Sequence, residues 1–330
     1  RRWALSLLWF AQECLALAIP GTPHLERMPI IGWGTCCRET AKGEPLKASM
    51  RDFLRLGGRL IDTAIAYGNH REIGEVLREP EFATIAREEL FITSKVPPNE
   101  FGEAETAAAV TRTLQELQTS YVDLVLLHAP SARHMNIAAW RALEKALAAG
   151  EVKAIGVSNF DVWNFKDLLQ DGAKITPMNN QISMHPGQVH QDLLSYCQEH
   201  GISITAYNSV KGRNAVPGGQ KALNDIAVKR GMTPVQVLLR WGVEKGVSVI
   251  PGCTSRAHLK DALDVARFEP LNEADMSALE RVRGNQDCWI EGFHYDMCCD
   301  PALGAGGNVQ CWSGPFSYNL CCFPQGARSL

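Results

Sequence analysis

Side chains able to bind and polarise a carbonyl group recur along this chain, most of them closing a short apolar run. Asp62 follows LI, Lys95 follows FITS, His128 follows VDLVLL, the pair Ser158 and Asn159 follows VKAIGV, and Gln181 and Tyr207 close two later runs. A carboxylate at the end of an apolar strand needs a cation or several hydrogen bonds to be tolerated there. Lys95 is the natural partner for Asp62. An ammonium held in that way beside Tyr67 favours phenolate, so the phenol is expected to fall from about 10 toward neutrality and to serve as a general acid. His128 can hydrogen-bond a carbonyl oxygen. Together these groups describe a site that polarises a C=O and protonates the alkoxide left once hydride has arrived.

Such residues act together only if the fold gathers them. From residue 28 to 265 short β-branched runs alternate with helical patterns, and the runs are MPIIGWGT (28–35), RLIDTA (59–64), LFITSKV (90–96), VDLVLLH (122–128), VKAIGVSN (152–159), PMNNQIS (177–183), SITAYNS (203–209) and VSVIPG (247–252). Between them, segments such as AETAAAVTRTLQELQTS, IAAWRALEKALAAG and TPVQVLLRWGVEKG carry apolar residues at three-to-four spacing. Strict alternation implies parallel strands joined by right-handed crossovers. The expected fold is an α/β (β/α)8 barrel, whose strand C-termini form one rim. A doubly wound open sheet would give similar local patterns, but no G-x-G-x-x-G follows the first strand.

The ordered set D-T-A-x2-Y-G-N, T-S-K, L-L-H-x-P, I-G-V-S-N-F and N-Q-I-x2-H-P resembles the aldo-keto reductase family over residues 28 to about 283. The resemblance implies NADPH-dependent reduction of aldehydes or ketones, with NADH also possible, and Asp62, Tyr67, Lys95 and His128 as a catalytic tetrad with Tyr67 as proton donor. It also implies that Ser158, Asn159 and Gln181 bind the nicotinamide carboxamide and that Tyr207 stacks on its ring. Thr35, Asp62, Gly252, Cys253, Thr254, Arg256 and His258 complete the cofactor contacts expected on that basis. Taken singly, each residue has a plainer explanation as a solvated rim charge, a structural histidine or a core tyrosine. Their joint order favours the functional reading.

Two departures from the family pattern shape the expectations. Where the family commonly places Lys and Arg against the adenosine 2′-phosphate, this chain has Gly252 and His258. Arg256 can substitute, Lys260 less easily, and with the lysine missing, relaxed or NADH-leaning cofactor use is expected. The substrate pocket is expected to be lined by Cys36, Pro97 and Ala129 where relatives often carry aromatics. Each lost ring removes about 150–250 Å² of apolar surface, which predicts a wider mouth and weak discrimination among small aldehydes. Cys36 and Cys37 are expected to be free thiols, because a vicinal disulfide would be strained.

The chain has 330 residues, 45% of them hydrophobic, and a formal net charge of −3. One main domain is expected, with no basic footprint for nucleic acid and no apolar run long enough for a membrane span. It is expected to act as a monomer on a small carbonyl substrate, without a metal. Residues 1–22 read as a leader or targeting segment, or alternatively as an amphipathic surface helix. The barrel is expected over 23–283 and a cysteine-rich tail over 284–330. Six of the eleven cysteines lie in that tail, where CWIEGFHYDMCCDP (288–301) and CWSGPFSYNLCCFP (311–324) form two repeats. Clustered cysteines in so short a segment call for disulfides, with zinc as the alternative, and the repeat aromatics are expected to form the small modules' own cores or, alternatively, a surface for a glycan or protein partner. The leader and tail point to the secretory pathway or an organelle reached through it, and dependence on NAD(P)H points to the cytoplasm instead. A second function class is a catalytically weak secreted or surface protein that binds through the tail.

Overall fold

The structure, a computed structural model, describes residues 25–36, 41–211 and 219–280. The expected leader and both tail repeats lie outside the described residues. Eight parallel strands appear in chain order: β1 (Gly32–Gly34), β2 (Leu60–Asp62), β3 (Phe91–Val96), β4 (Val122–Leu127), β5 (Val152–Ser158), β6 (Asn179–Ser183), β7 (Ser203–Tyr207) and β8 (Ser248–Val249). Each neighbours the next, and a parallel bridge from Ile31 to Val249 with Val249 N–H donating to the Ile30 carbonyl closes the sheet on itself. This is the (β/α)8 barrel that the alternation predicts.

The connecting helices are α1 (Gly43–Arg55), α2 (His70–Leu77), α3 (Glu103–Leu117), α4 (Arg133–Ala148), α5 (Val162–Gln170), α6 (Gln191–Glu199), α7 (Gly219–Arg230), α8 (Pro234–Glu244), α9 (Arg256–Leu263) and α10 (Glu273–Glu280). Local chemistry explains several starts. Asp161 accepts from the Asn164 N–H, Thr233 accepts from the Gln236 N–H with Pro234 following, and Ser255 accepts from the His258 N–H. Such caps satisfy backbone donors that the first turn leaves open.

Registers align the strand ends that matter. Asp62 pairs with Gly34 on one side and Thr93 on the other, Lys95 with Leu126, and Ser158 with Gln181. Leu25, Met28, Leu60, Phe91, Leu124, Leu126, Ala154 and Ile250 form a buried cluster, against which Met178 and Tyr207 pack. β1, β6 and β8 are shorter than their apolar runs, which contain Pro29, Pro177 and Pro251, residues with no N–H to offer a ladder.

By internal contacts the chain divides into two compact units. One contains the barrel strands, apart from Ser183, with α1 to α6 and α9. Within the other, Trp241 of α8 donates to Glu280 of α10, and the buried Asp275 of α10 pairs with Lys229 and Arg230 of α7. No helix among the described residues is long and apolar enough to cross a membrane.

Candidate active site

Lys95 leaves the end of β3 fully buried, and its ammonium meets three acceptors: Asp62 Oδ1 at 2.6 Å, the Thr63 carbonyl at 3.0 Å and the Tyr67 hydroxyl at 3.2 Å. The second carboxylate oxygen of Asp62 accepts from Gln181 Nε2 at 2.7 Å. Tyr67 arrives on a short 3-10 turn, Ile65–Tyr67, that ends at Gly68 with φ of 61°. Glycine suits that turn because the left-handed backbone strains side-chain-bearing residues. The His128 and Tyr67 rings pack steeply inclined to each other, at 75°, with centroids 5.7 Å apart. Residues separated by as many as 66 positions (128 minus 62) thus converge on one phenol.

The electrostatics depart from the expectation for Tyr67. Its phenol stands above the ordinary value of 10, because burial raises it most and the Asp62 charge adds to that, against the lowering influence of the Lys95 charge and hydrogen bond. The expected fall toward neutrality is therefore overturned. The main reason is burial of the phenol, which disfavours its charged form; Asp62 beside Lys95 then offsets part of the positive charge that would otherwise favour phenolate. Burial works against the Lys95 ammonium, but attraction to Asp62 and Tyr67 outweighs it, leaving the lysine above its usual range and charged. His128 is pushed down to about 4 by burial and by Lys95, so its imidazole is neutral at physiological pH.

Around this centre, the Ser158 hydroxyl and the Asn159 N–H both donate to the Gln181 carbonyl, at 2.8 and 2.9 Å. Asn159 takes a left-handed backbone, φ 59°, and its amide donates to the His128 carbonyl and Ser158 Oγ. Tyr207 donates its hydroxyl to Asn159 Oδ1 at 2.7 Å. Thr35 donates from both its N–H and its hydroxyl to the Asp62 carbonyl. These residues form one connected group at adjacent strand ends.

The other predicted positions are less uniform. The Cys253 carbonyl accepts from Trp33 Nε1 and the Thr254 carbonyl accepts from Ser49 Oγ, while His258 is exposed and Gly252 half-buried. Arg256 is tied to Asp52 of α1, Nη1 to Oδ1 at 2.6 Å, and Lys260 pairs with Asp264. Ala129 and Cys36 are half-buried and Pro97 is buried. Cys36 is not the free thiol expected but is disulfide-bonded, and its partner lies outside the described residues. The strain argument spoke only against pairing with its neighbour Cys37. Among the described residues no cluster of His, Cys, Asp or Glu is arranged to hold a metal ion. A cavity of about 510 Å³ lined by residues of α1, α2 and α3, including Glu44, Glu75 and Glu116, has none of the four tetrad side chains in its wall.

Two residues in this network carry no role in the sequence reading. The Thr63 carbonyl holds Lys95, and Asn69 holds the Thr63 side chain. The only local signal is an asparagine placed where a helix begins but left unused as its cap.

Residues 31–283 match the profile described as the aldo/keto reductase family. A glyoxal reductase of Bacillus subtilis is 36% identical over 266 residues, covering 79% of this chain and 93% of that protein. A glycerol 2-dehydrogenase (NADP(+)) of Hypocrea jecorina is 30% identical over 287 residues, covering 78% and 89%. The crystal structure of an aldo/keto reductase from Brucella melitensis superposes with a TM-score of 0.68 at 31% identity, covering 77% of this chain and 95% of that one. With this profile spanning most of the sequence and the strand-end cluster intact, the chain belongs to the aldo/keto reductase family.

Proposed function

We propose that this protein reduces small aldehydes to alcohols with NADPH, accepting NADH as well, and that Tyr67 delivers the proton. The observation that carries the reading is the Lys95 ammonium, 2.6 Å from Asp62 and 3.2 Å from the Tyr67 hydroxyl, at the mouth of a parallel barrel.

The donor set suits a nicotinamide. Ser158, Asn159 and Gln181 offer neutral hydroxyl and amide groups at neighbouring strand ends, matching a carboxamide that both donates and accepts, and the half-buried Tyr207 ring suits a flat heteroaromatic. When bound, that group supplies the hydride. The protein's own residues handle the oxygen. Neutral His128 donates a hydrogen bond to the substrate carbonyl, and Tyr67, protonated at neutral pH, gives its proton to the oxygen as it becomes an alkoxide. Lys95 then stabilises the phenolate left behind, and Asp62 keeps Lys95 charged and aimed.

Small aldehydes follow from Cys36, Pro97 and Ala129 standing where relatives often carry rings, and a relative named glyoxal reductase is in keeping with that class. Acceptance of NADH follows from Arg256, whose guanidinium is shared with Asp52. The testing experiment is oxidation of NADPH in the presence of 4-nitrobenzaldehyde, comparing the wild-type protein with Tyr67→Phe. Loss of a positioned acid lowers kcat by about 10² to 10⁴-fold. Equal rates in the two proteins would exclude Tyr67 as the donor.

A further inference from the structure

Asn69 occupies the N-cap position of α2, where an asparagine side chain ordinarily accepts from the first turn and contributes about 1 kcal/mol. Here it makes no such bond. It turns inward instead and is fully buried, with Oδ1 accepting from the Thr63 hydroxyl at 2.6 Å and Nδ2 lying 3.2 Å from each of the Thr35 carbonyl, Thr35 Oγ1 and the Ala41 carbonyl. A primary amide has two N–H donors and one carbonyl acceptor, so every polar group of this side chain is committed. Forgoing a local cap for long-range bonds is the kind of conflict between levels that marks a functional constraint.

The partners show what the constraint acts on. Thr63 supplies the carbonyl that accepts from Lys95 at 3.0 Å, and Thr35 donates twice to the carbonyl of Asp62. Thr35 and Ala41 bracket the segment after β1 that contains Cys36. One buried amide therefore ties the backbone of both residues that hold Lys95 to the loop expected to wall the substrate mouth.

We infer that Asn69 is a positioning residue: acting through Thr63 and Thr35, it sets where the Lys95 ammonium stands relative to the Tyr67 hydroxyl. This rests on the reading of Tyr67 as proton donor. If the clasp is cut, the Thr63 carbonyl is free to shift, Lys95 follows it away from the phenol, and phenolate loses the group that favours it.

The test measures tyrosinate absorbance on the cofactor-free protein as pH rises, subtracting the same titration of the Tyr67→Phe protein in each background so that only Tyr67 is read. It is run on Asn69→Ala, on Thr63→Val, which keeps the volume but removes the hydroxyl, and on Thr63→Ser, which retains it. Asn69→Ala and Thr63→Val are expected to move the Tyr67 midpoint upward by about half a pH unit or more and to lower kcat by about tenfold, with NADPH affinity by fluorescence titration within about twofold of wild type. Thr63→Ser restores both. A lowered melting temperature with an unmoved midpoint and unchanged kcat would reduce Asn69 to a structural residue and overturn the inference. If Asn69→Ala does not fold, the Thr63 pair decides by the same readings. Full activity in Tyr67→Phe would instead remove the donor reading, while the midpoint still judges the placement of Lys95.

Discussion

Replacing Lys95 by methionine separates what the ammonium does for the fold from what it does for the reaction. Its nitrogen lies 2.6 Å from Asp62 Oδ1, and the two side chains are 0% and 3% exposed. At an effective dielectric near 20, 332/(20 × 2.6) gives a gross attraction of about 6 kcal/mol, most of it offset by the cost of stripping water from both charges. Removing one partner leaves Asp62 buried with the Gln181 amide as its remaining side-chain donor. The expected destabilisation is about 3–5 kcal/mol, which at about 2–4 °C per kcal/mol lowers Tm by on the order of 10 °C. The double variant Asp62→Leu/Lys95→Met removes both charges and should recover part of that loss, with the orphaned Gln181 amide and Thr63 carbonyl limiting the recovery. Catalysis should not recover. Calorimetry and aldehyde-dependent NADPH oxidation on the three proteins check this. A Lys95→Met protein with wild-type Tm, or a double variant with restored turnover, would refute the assignment of one ammonium to both tasks.

Two further outcomes follow from charge. Tyr67 stands above 10 and His128 near 4, so the phenol is protonated and the imidazole neutral between those limits. The kcat for reduction should therefore be flat through the neutral range and fall on the alkaline side only as Tyr67 loses its proton beyond 10. A pH profile whose plateau ends near 7 would contradict this. For the cofactor, sharing of Arg256 with Asp52 predicts a preference for NADPH over NADH of less than about tenfold, or about 1.4 kcal/mol, in a fluorescence titration. A preference of a hundredfold or more would show that the guanidinium leaves Asp52 for the phosphate.

How far the sequence was legible depended on the range of the interaction concerned. Asp62, Lys95, His128 and Ser158 could be read because each ends, or lies beside the end of, an apolar run whose strand character is local, and the barrel then brings such ends to one rim, while Gln181, in the middle of β6, was legible mainly through its motif. The limits of β1, β6 and β8 were harder, since Pro29, Pro177 and Pro251 remove ladder donors without changing the hydrophobicity of the runs. Asn69 showed only as part of a motif, because its partners Thr35 and Ala41 lie 34 and 28 residues away across a loop. Arg256 looked available for a phosphate because Asp52, 204 positions earlier, is invisible to any window of sequence. Cys36, expected as a free thiol, is disulfide-bonded, and no local pattern in the sequence shows that pairing.

The error over Tyr67 is the most informative, because every residue involved was correctly named. Counting Lys95 as a bare cation predicts an acidic phenol; counting Asp62 and burial as well predicts a phenol that keeps its proton. The second account fits the chemistry better in the direction proposed. An acid that must protonate an alkoxide gains nothing from being ionised beforehand, whereas the Lys95 contact at 3.2 Å becomes most favourable only after the proton has gone and the phenoxide carries charge. Asp62 therefore holds the ammonium in place while the phenol is neutral, and the ammonium acts fully once it is not. That is stabilisation placed where charge develops rather than where it already exists. The same arrangement disfavours the reverse reaction at neutral pH, because alcohol oxidation needs the phenolate that burial and Asp62 suppress.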